Sequence, residues 1–80
     1  MNVRINGTLQ SVEIEERVTG GGFVYIGEDM RVVWRDYGNH IEVNNHSNWG
    51  QVPARAQTAA SEALAKQFGK EVRKVTNLTR

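Results

Sequence analysis

The residue types that most often carry protein chemistry are concentrated between positions 33 and 53. His40 and His46, the two histidines of the chain, lie there with Asp36 and Glu42 close by. Two histidines and a carboxylate can hold zinc. However, the histidines are six residues apart, a spacing that fits no helix face, and a strand followed by a loop would bring them together only by accident of folding. We therefore expect no metal site.

The serines, carboxylates and glycines do not indicate catalysis either. No serine stands in a glycine-flanked turn between a strand and a helix, and Glu13 and Glu15 lie on the solvent face of a predicted strand rather than in a cleft that would shift their pKa values. The sequence TGGG (19–22) lacks the lysine of a phosphate-binding loop and leads into a strand. We expect no catalytic residue, no cofactor and no enzymatic activity.

Arginine and aromatic residues favour a binding role, because these types most often dominate interface energetics. The residues that we expect to contact a partner are Arg31, Arg35, Tyr37 and Trp49, with Lys70, Arg73 and Lys74 for an acidic partner. Trp49 stands in a polar, asparagine-rich stretch, where it forms either an interface contact or a lid over the core. Nucleic acid is the alternative partner, since arginine and aromatic groups also contact phosphates and stack on bases.

The net charge of +1 conceals an uneven distribution along the chain. Residues 1–53 carry seven acidic and four basic residues, whereas residues 54–80 carry six basic and two acidic ones. This asymmetry is enough to orient a partner. The net charge of +1 is far below that of the strongly basic proteins that coat DNA.

The length of 80 residues predicts one domain that spans 1–80. A domain of this size buries only about 60% of its unfolded surface and is marginally stable. The chain has no cysteine, so no disulfide can support it. No apolar run is long enough to cross a membrane or to act as a signal peptide. We expect a cytoplasmic protein without membrane contact, for which a homodimer is an open alternative.

Residues 1–53 are expected to be rich in β-strands. The pair Asn6–Gly7 stands between two alternating segments, which is the strongest short signal for a hairpin. A two-residue turn at this pair places Ile5 opposite Thr8. TGGG then predicts a mobile, sharply turning link.

Three further strands are predicted after this link, over FVYIG (23–27), MRVVWRD (30–36) and HIEVN (40–44). Alternation places Trp34, Ile41 and Val43 on the inner face of the sheet.

The C-terminal third predicts a helix and a closing strand. NNHSNWGQ (44–51) is typical of a loop, and Pro53 suits the first turn of a helix. Apolar residues recur at helical spacing over 54–68, and Gly69 is a natural C-terminal cap. A final strand over 71–78 is favoured over a helix continued through Gly69, which would cost about 1 kcal/mol. The fold class is therefore α+β, with a single antiparallel sheet in the order β-β-β-β-β-α-β and one helix packed on one face.

The chain resembles a class of small phage-encoded proteins that disable host machinery, such as inhibitors of RNA polymerase and anti-CRISPR proteins. The resemblance consists of the length, the early Asn-Gly hairpin and the ending AASEALAKQFGKEVRKV, with no motif shared residue by residue. It implies steric or mimicking binding without chemistry. We expect a small non-enzymatic binding module that acts on a larger protein or nucleoprotein complex. Direct DNA or RNA binding through the basic C-terminal portion is the alternative.

Overall fold

A six-stranded sheet with one helix on one face forms the architecture. The computed structural model describes residues 2–5, 7–47 and 50–75. In chain order the elements are β1 (Asn2–Ile5), β2 (Thr8–Val18), β3 (Gly21–Ile26), β4 (Met30–Asp36), β5 (His40–Asn44), β6 (His46–Ser47), β7 (Gly50–Gln51), α1 (Ala54–Phe68) and β8 (Glu71–Val75). The order in the sheet is β1-β2-β3-β4-β5-β8, and β6 pairs only with β7. The predicted α+β class with a single helix is confirmed.

The N-terminal hairpin has the predicted register. Ile5 pairs with Thr8, and Gly7 adopts a φ of 82°, as the second position of a tight hairpin turn requires. Val12 and Ile5 are both buried on the same side of the sheet. Period-two alternation and the turn signal therefore agree, which is why the sequence was sufficient to predict the register of this hairpin.

The predicted mobile link at TGGG is wrong in its second half, because β3 begins at Gly21. Only Thr19 and Gly20 form the turn. A Cβ on Gly22 would collide with the carbonyl oxygen of Glu15 and would lie 2.9 Å from the backbone nitrogen of Arg17. This glycine therefore allows β2 and β3 to approach closely, rather than conferring mobility.

The inner face of the sheet consists of the odd-numbered residues of β1 and β5 and the even-numbered residues of β2 as far as Glu16, of β3, of β4 and of β8. The predicted inward positions Trp34, Ile41 and Val43 are confirmed, since each is at most 1% exposed. The Trp34 ring lies 5.3 Å from that of Phe68, and its indole N–H donates to the carbonyl of Phe23 at 3.2 Å. These residues pack against the buried helix positions Ala56, Ala59, Ala60, Ala63 and Leu64.

The helix has the predicted bounds of 54–68. Pro53 precedes its first residue in an extended conformation, and Gly69 ends it in the left-handed region with a φ of 67°. The Gly69 N–H donates to the carbonyl of Ala65 at 2.8 Å. Proline at the start and glycine at the end are the signals that the sequence supplied.

The predicted all-antiparallel sheet is wrong at its last strand. β8 runs parallel to β5, with His40 opposite Glu71 and Asn44 opposite Val75. A helix that follows a strand carries the chain back along the sheet, so the next strand runs in the same direction as the first. The predicted range of 71–78 is confirmed over Glu71–Val75, and the rest lies outside the described residues.

The predicted loop over 44–51 contains a small two-stranded hairpin. His46 pairs with Gln51, and Ser47 pairs with Gly50. At its base the Val52 N–H donates to the carbonyl of Asn45 at 2.9 Å. Polar composition alone does not distinguish such a short ladder from an irregular loop.

A buried glutamine ties the helix to the two parallel strands. The Gln57 side chain is 7% exposed, and its Nε2 donates to the carbonyl of Val43 at 2.9 Å and to that of Val75 at 2.8 Å. The two protons of the amide thus satisfy one carbonyl from each strand at the point where β5 and β8 end. Without the Gln57 amide, each of these two carbonyl groups would lose one hydrogen-bond partner.

We expect Gln57→Leu to lower the free energy of unfolding by about 1–3 kcal/mol, the cost of buried polar groups that lose a hydrogen-bond partner. The measurement is urea unfolding followed by far-UV circular dichroism. Gln67→Leu makes the same chemical change at an exposed position of α1 and is the matched control. Equal unfolding midpoints for the two variants would contradict the structural role of Gln57.

Candidate functional site

The face of the sheet opposite α1 collects most of the polar and aromatic side chains of the strands. We call it the outer face: the odd-numbered residues of β2, β3, β4 and β8 and the even-numbered residues of β1 and β5, together with Val18, which a β-bulge moves to this side. Phe23, Tyr25 and Val33, on the neighbouring strands β3 and β4, are half-buried there, although α1 packs on the other side. The outer face therefore has an apolar strip that its own neighbours cover only in part.

Two arginines cover the aromatic centre of this strip. The Arg31 guanidinium lies 4.4 Å from the centroid of the Phe23 ring, and that of Arg17 lies 5.3 Å from it. The Tyr25 ring is 6.0 Å from the same centroid. Guanidinium groups over an aromatic face are attracted by the quadrupole of the ring, so these side chains hold each other in place.

Glu15 joins this cluster at the β2 side. Its carboxylate accepts a hydrogen bond from the Tyr25 hydroxyl at 2.7 Å and one from Arg17 Nε at 3.2 Å. The Tyr25 hydroxyl, followed by Arg17, lowers the pKa of Glu15 below its ordinary value. The charge of Glu15 is thus compensated within the outer face.

Arg35 differs from the other arginines of the outer face. It is exposed, and its cross-strand neighbour is Glu42. However, the Glu42 carboxylate lies 3.3 Å from Nε2 of His40, two residues away on the same strand. Arg35 consequently makes no ion pair or hydrogen bond with any residue in the described part of the chain.

Tyr37 lies at the end of β4 beside this group. It is 53% exposed, and its ring stacks on that of His40 with centroids 5.2 Å apart and an interplanar angle of 17°. The aromatic surface at this end of the sheet is therefore ordered by stacking but remains accessible.

The three basic residues predicted in the C-terminal part do not form one patch. Arg73 lies on the outer face and pairs with Glu71 at 3.0 Å, which lowers the pKa of Glu71. Lys74 is on the helix side, where its amine donates to Thr58 Oγ1 at 3.1 Å. Lys70 follows α1 and pairs with Asp36, as described below. Alternation along β8 separates Arg73 from Lys74.

The structure thus brings together Arg31, Arg35 and Arg73 on the outer face, with Tyr37 at its end, and places Lys70 and Lys74 elsewhere. Trp49 lies outside the described residues. Two residues of the outer-face cluster, Phe23 and Arg17, were not among the sequence predictions. The signal for Phe23 was available, because alternation in FVYI puts it on the face opposite Val24. Alternation likewise puts Arg17 on the face of Glu15, two residues earlier, whereas the β-bulge between Glu16 and Val18 is not evident from the sequence.

Among the described residues, depressions adjoin the strands at two places of interest. One, with a volume of about 430 Å³, lies at the β2–β3 turn between Arg17, Phe23 and Arg35. The other, of about 370 Å³, lies between β2 and α1 and includes Val12, Ile14 and Ala63. Only the first opens beside predicted contact residues.

Metal ligands do not cluster in the described ranges. No group of three or more histidine, cysteine, aspartate or glutamate side chains is close enough to hold a metal ion there. Within the same residues, no helix has the length and apolar character needed to cross a membrane.

Comparison of the chain with family models, with curated proteins and with solved structures finds no match. Function must therefore be inferred from the geometry and chemistry of the outer face.

An ion pair fixes the end of β4 against the segment after α1. Lys70 Nζ lies 2.8 Å from Oδ2 of Asp36, and the Gly38 N–H donates to the other carboxylate oxygen at 2.8 Å. The Lys70 hydrogen bond, followed by that from Gly38, lowers the pKa of Asp36 below its ordinary value of 3.8. Because the folded state holds the charged form, this stabilisation is present above that value and is lost as the pH falls through the lower folded pKa.

We expect Lys70→Met to reduce the urea midpoint at neutral pH, and we expect the difference from wild type to shrink below pH 3.8. Unfolding curves recorded over a descending pH series measure this. Lys66→Met, at an exposed position in the last turn of α1, is the control. A difference that is independent of pH would show that Lys70 acts through packing and not through Asp36.

Proposed function

We propose that the protein is a non-enzymatic binding module that recognises a larger protein, alone or within a nucleoprotein complex, through the outer face of its sheet. The observation that supports this is the half-buried apolar strip around Phe23, framed by arginines, on a face that α1 does not cover. Protein interfaces commonly combine an apolar centre with aromatic and arginine residues and a polar rim.

The charges of the outer face favour a protein over a nucleic acid. The outer face carries arginines at positions 4, 17, 31, 35 and 73 and glutamates at positions 13, 15, 42 and 71, so charges of both signs are present in nearly equal number. A surface that follows a phosphate backbone needs an excess of positive charge. Alternating charges of both signs instead suit a partner surface that carries both signs as well.

The distribution of the remaining basic residues supports the same choice. Lys70 is paired with Asp36, Lys74 points to the helix side, and Arg55 lies at the start of α1. None of these three cations lies on the outer face, so they do not extend it into a basic groove.

The proposed mode of action is occupation of a partner's surface. The class of phage-encoded inhibitors that the chain resembles acts in this way, by blocking or mimicking contacts of host machinery. The sheet supplies a rigid platform for such contacts, because its side chains are already held by stacking and hydrogen bonds before binding.

We expect Arg35→Glu to weaken partner capture about tenfold or more, since charge reversal at an interface both removes an attraction and adds a repulsion. The experiment is affinity capture from a bacterial lysate with quantitative mass spectrometry, followed by titration calorimetry with the purified partner.

Arg55→Glu is the matched control, because it makes the same charge change at an exposed position on α1. Far-UV circular dichroism verifies that both variants are folded. If both variants capture the same macromolecules as wild type, or if the partner is nucleic acid bound with steep salt dependence, the proposed protein-binding role of the outer face is wrong.

A further inference from the structure

The depression at the β2–β3 turn is formed by a bulge and by glycines. The pairing of β2 with β3 shifts between Glu16 and Val18, and Gly21 lies opposite Val18 and Arg35. A Cβ on Gly21 would lie 3.3 Å from the carbonyl oxygen of Trp34 and 3.6 Å from the Val18 side chain. A residue with a side chain would therefore fill part of this space, whereas glycine leaves it open.

The walls of the depression combine apolar surface with positive charge. Phe23 and Val33 are half-buried members of the apolar strip, and the guanidinium-bearing residues Arg17 and Arg35 also line it. A side chain with an apolar stem and an anionic end could contact both the apolar surface and the arginines.

Two acidic side chains at the depression, Asp36 and Glu15, already have hydrogen-bond partners. A third, Glu16, lies beside it and accepts a hydrogen bond from the N–H of Gly20 at 2.9 Å. Asp36, which also lines it, accepts hydrogen bonds from Lys70 Nζ and the Gly38 N–H, and Glu15 accepts from Tyr25 and Arg17. These interactions lower the pKa values of both carboxyls and keep them charged and occupied.

Of the described charged residues that line the depression, Arg35 is the one without an ion pair or hydrogen bond in the described part of the chain. Its cross-strand neighbour Glu42 is turned to His40, with 3.3 Å between Oε2 and Nε2. A guanidinium presents a planar fork of donors that matches a carboxylate with two parallel hydrogen bonds. The geometry thus leaves an unused carboxylate-binding group at the rim of a partly apolar depression.

We propose that this depression seats an acidic side chain, glutamate or aspartate, of the protein partner, with Arg35 as its principal hydrogen-bond donor and Arg17 as secondary support. This inference rests on the proposed function, because it specifies the chemistry of the partner that the outer face recognises.

The test is a titration of the ¹⁵N-labelled protein with short capped peptides, followed by the backbone amide signals of Gly20, Gly21 and Gly22 and by the side-chain Nε signal of Arg35. The first probe is an acetylated and amidated pentapeptide with a glutamate between leucines. The second has glutamine in place of glutamate and is otherwise identical. The third has no acidic side chain but a free terminal carboxylate.

We expect the glutamate peptide to shift these signals saturably and the glutamine peptide to bind roughly tenfold more weakly, because it lacks the charge-assisted pair. Arg35→Gln should abolish the shifts of the glutamate peptide, while Arg55→Gln should retain them. Equal shifts with glutamate and glutamine, retained shifts in Arg35→Gln, or preferential binding of the free terminal carboxylate would each overturn the inference.

The amide spectrum of each variant shows directly whether it is folded. If the glutamate peptide causes no saturable shifts while the Arg35→Glu variant still captures less partner than wild type, the inference of an acidic side chain is wrong. The proposed binding role of the outer face then stands. If capture is unaffected by Arg35→Glu, the proposed function itself fails, whatever the peptides do.

Discussion

The packing of the alanine-lined face of α1 against the sheet is the contact on which the rest of the structure depends. Ala56, Ala60 and Leu64 are completely buried, and the small side chains let the helix approach the strands closely. Trp34 and Phe68 fill the space at the far end of the helix. A single helix can cover only one face of a six-stranded sheet. The outer face must therefore achieve its order through contacts among its own strands.

Those contacts follow a simple pattern. Charged side chains on the outer face mostly pair with a residue two positions away on the same strand, as Arg17 does with Glu15 and Arg73 with Glu71. Such pairs are geometrically natural because residues i and i+2 share a face. The same preference draws Glu42 to His40 and away from the arginine across from it. Local pairing thus leaves Arg35 without an ion pair in the described part of the chain.

The helix also determines the direction of the last strand. Because α1 returns the chain along the sheet, β8 joins β5 in parallel, and Gln57 donates to a carbonyl of each of these two strands. A polar side chain inside a small core is costly unless its hydrogen bonds are made. Gln57 meets this condition and links the only parallel pair of the described strands to the helix that produces it.

By itself, the sequence determined the features that depend on neighbouring residues. The pairing of β1 with β2, the alternation around Trp34, and the helix between Pro53 and Gly69 follow from local conformational preference and from the periods of strand and helix. Tertiary structure alone decided the parallel pairing of β8, the strand character of Gly21 and Gly22, and the grouping of Arg17 and Arg31 over Phe23. These features depend on which elements meet in space. Local propensity does not encode that choice, because residues distant in the chain make the deciding contacts.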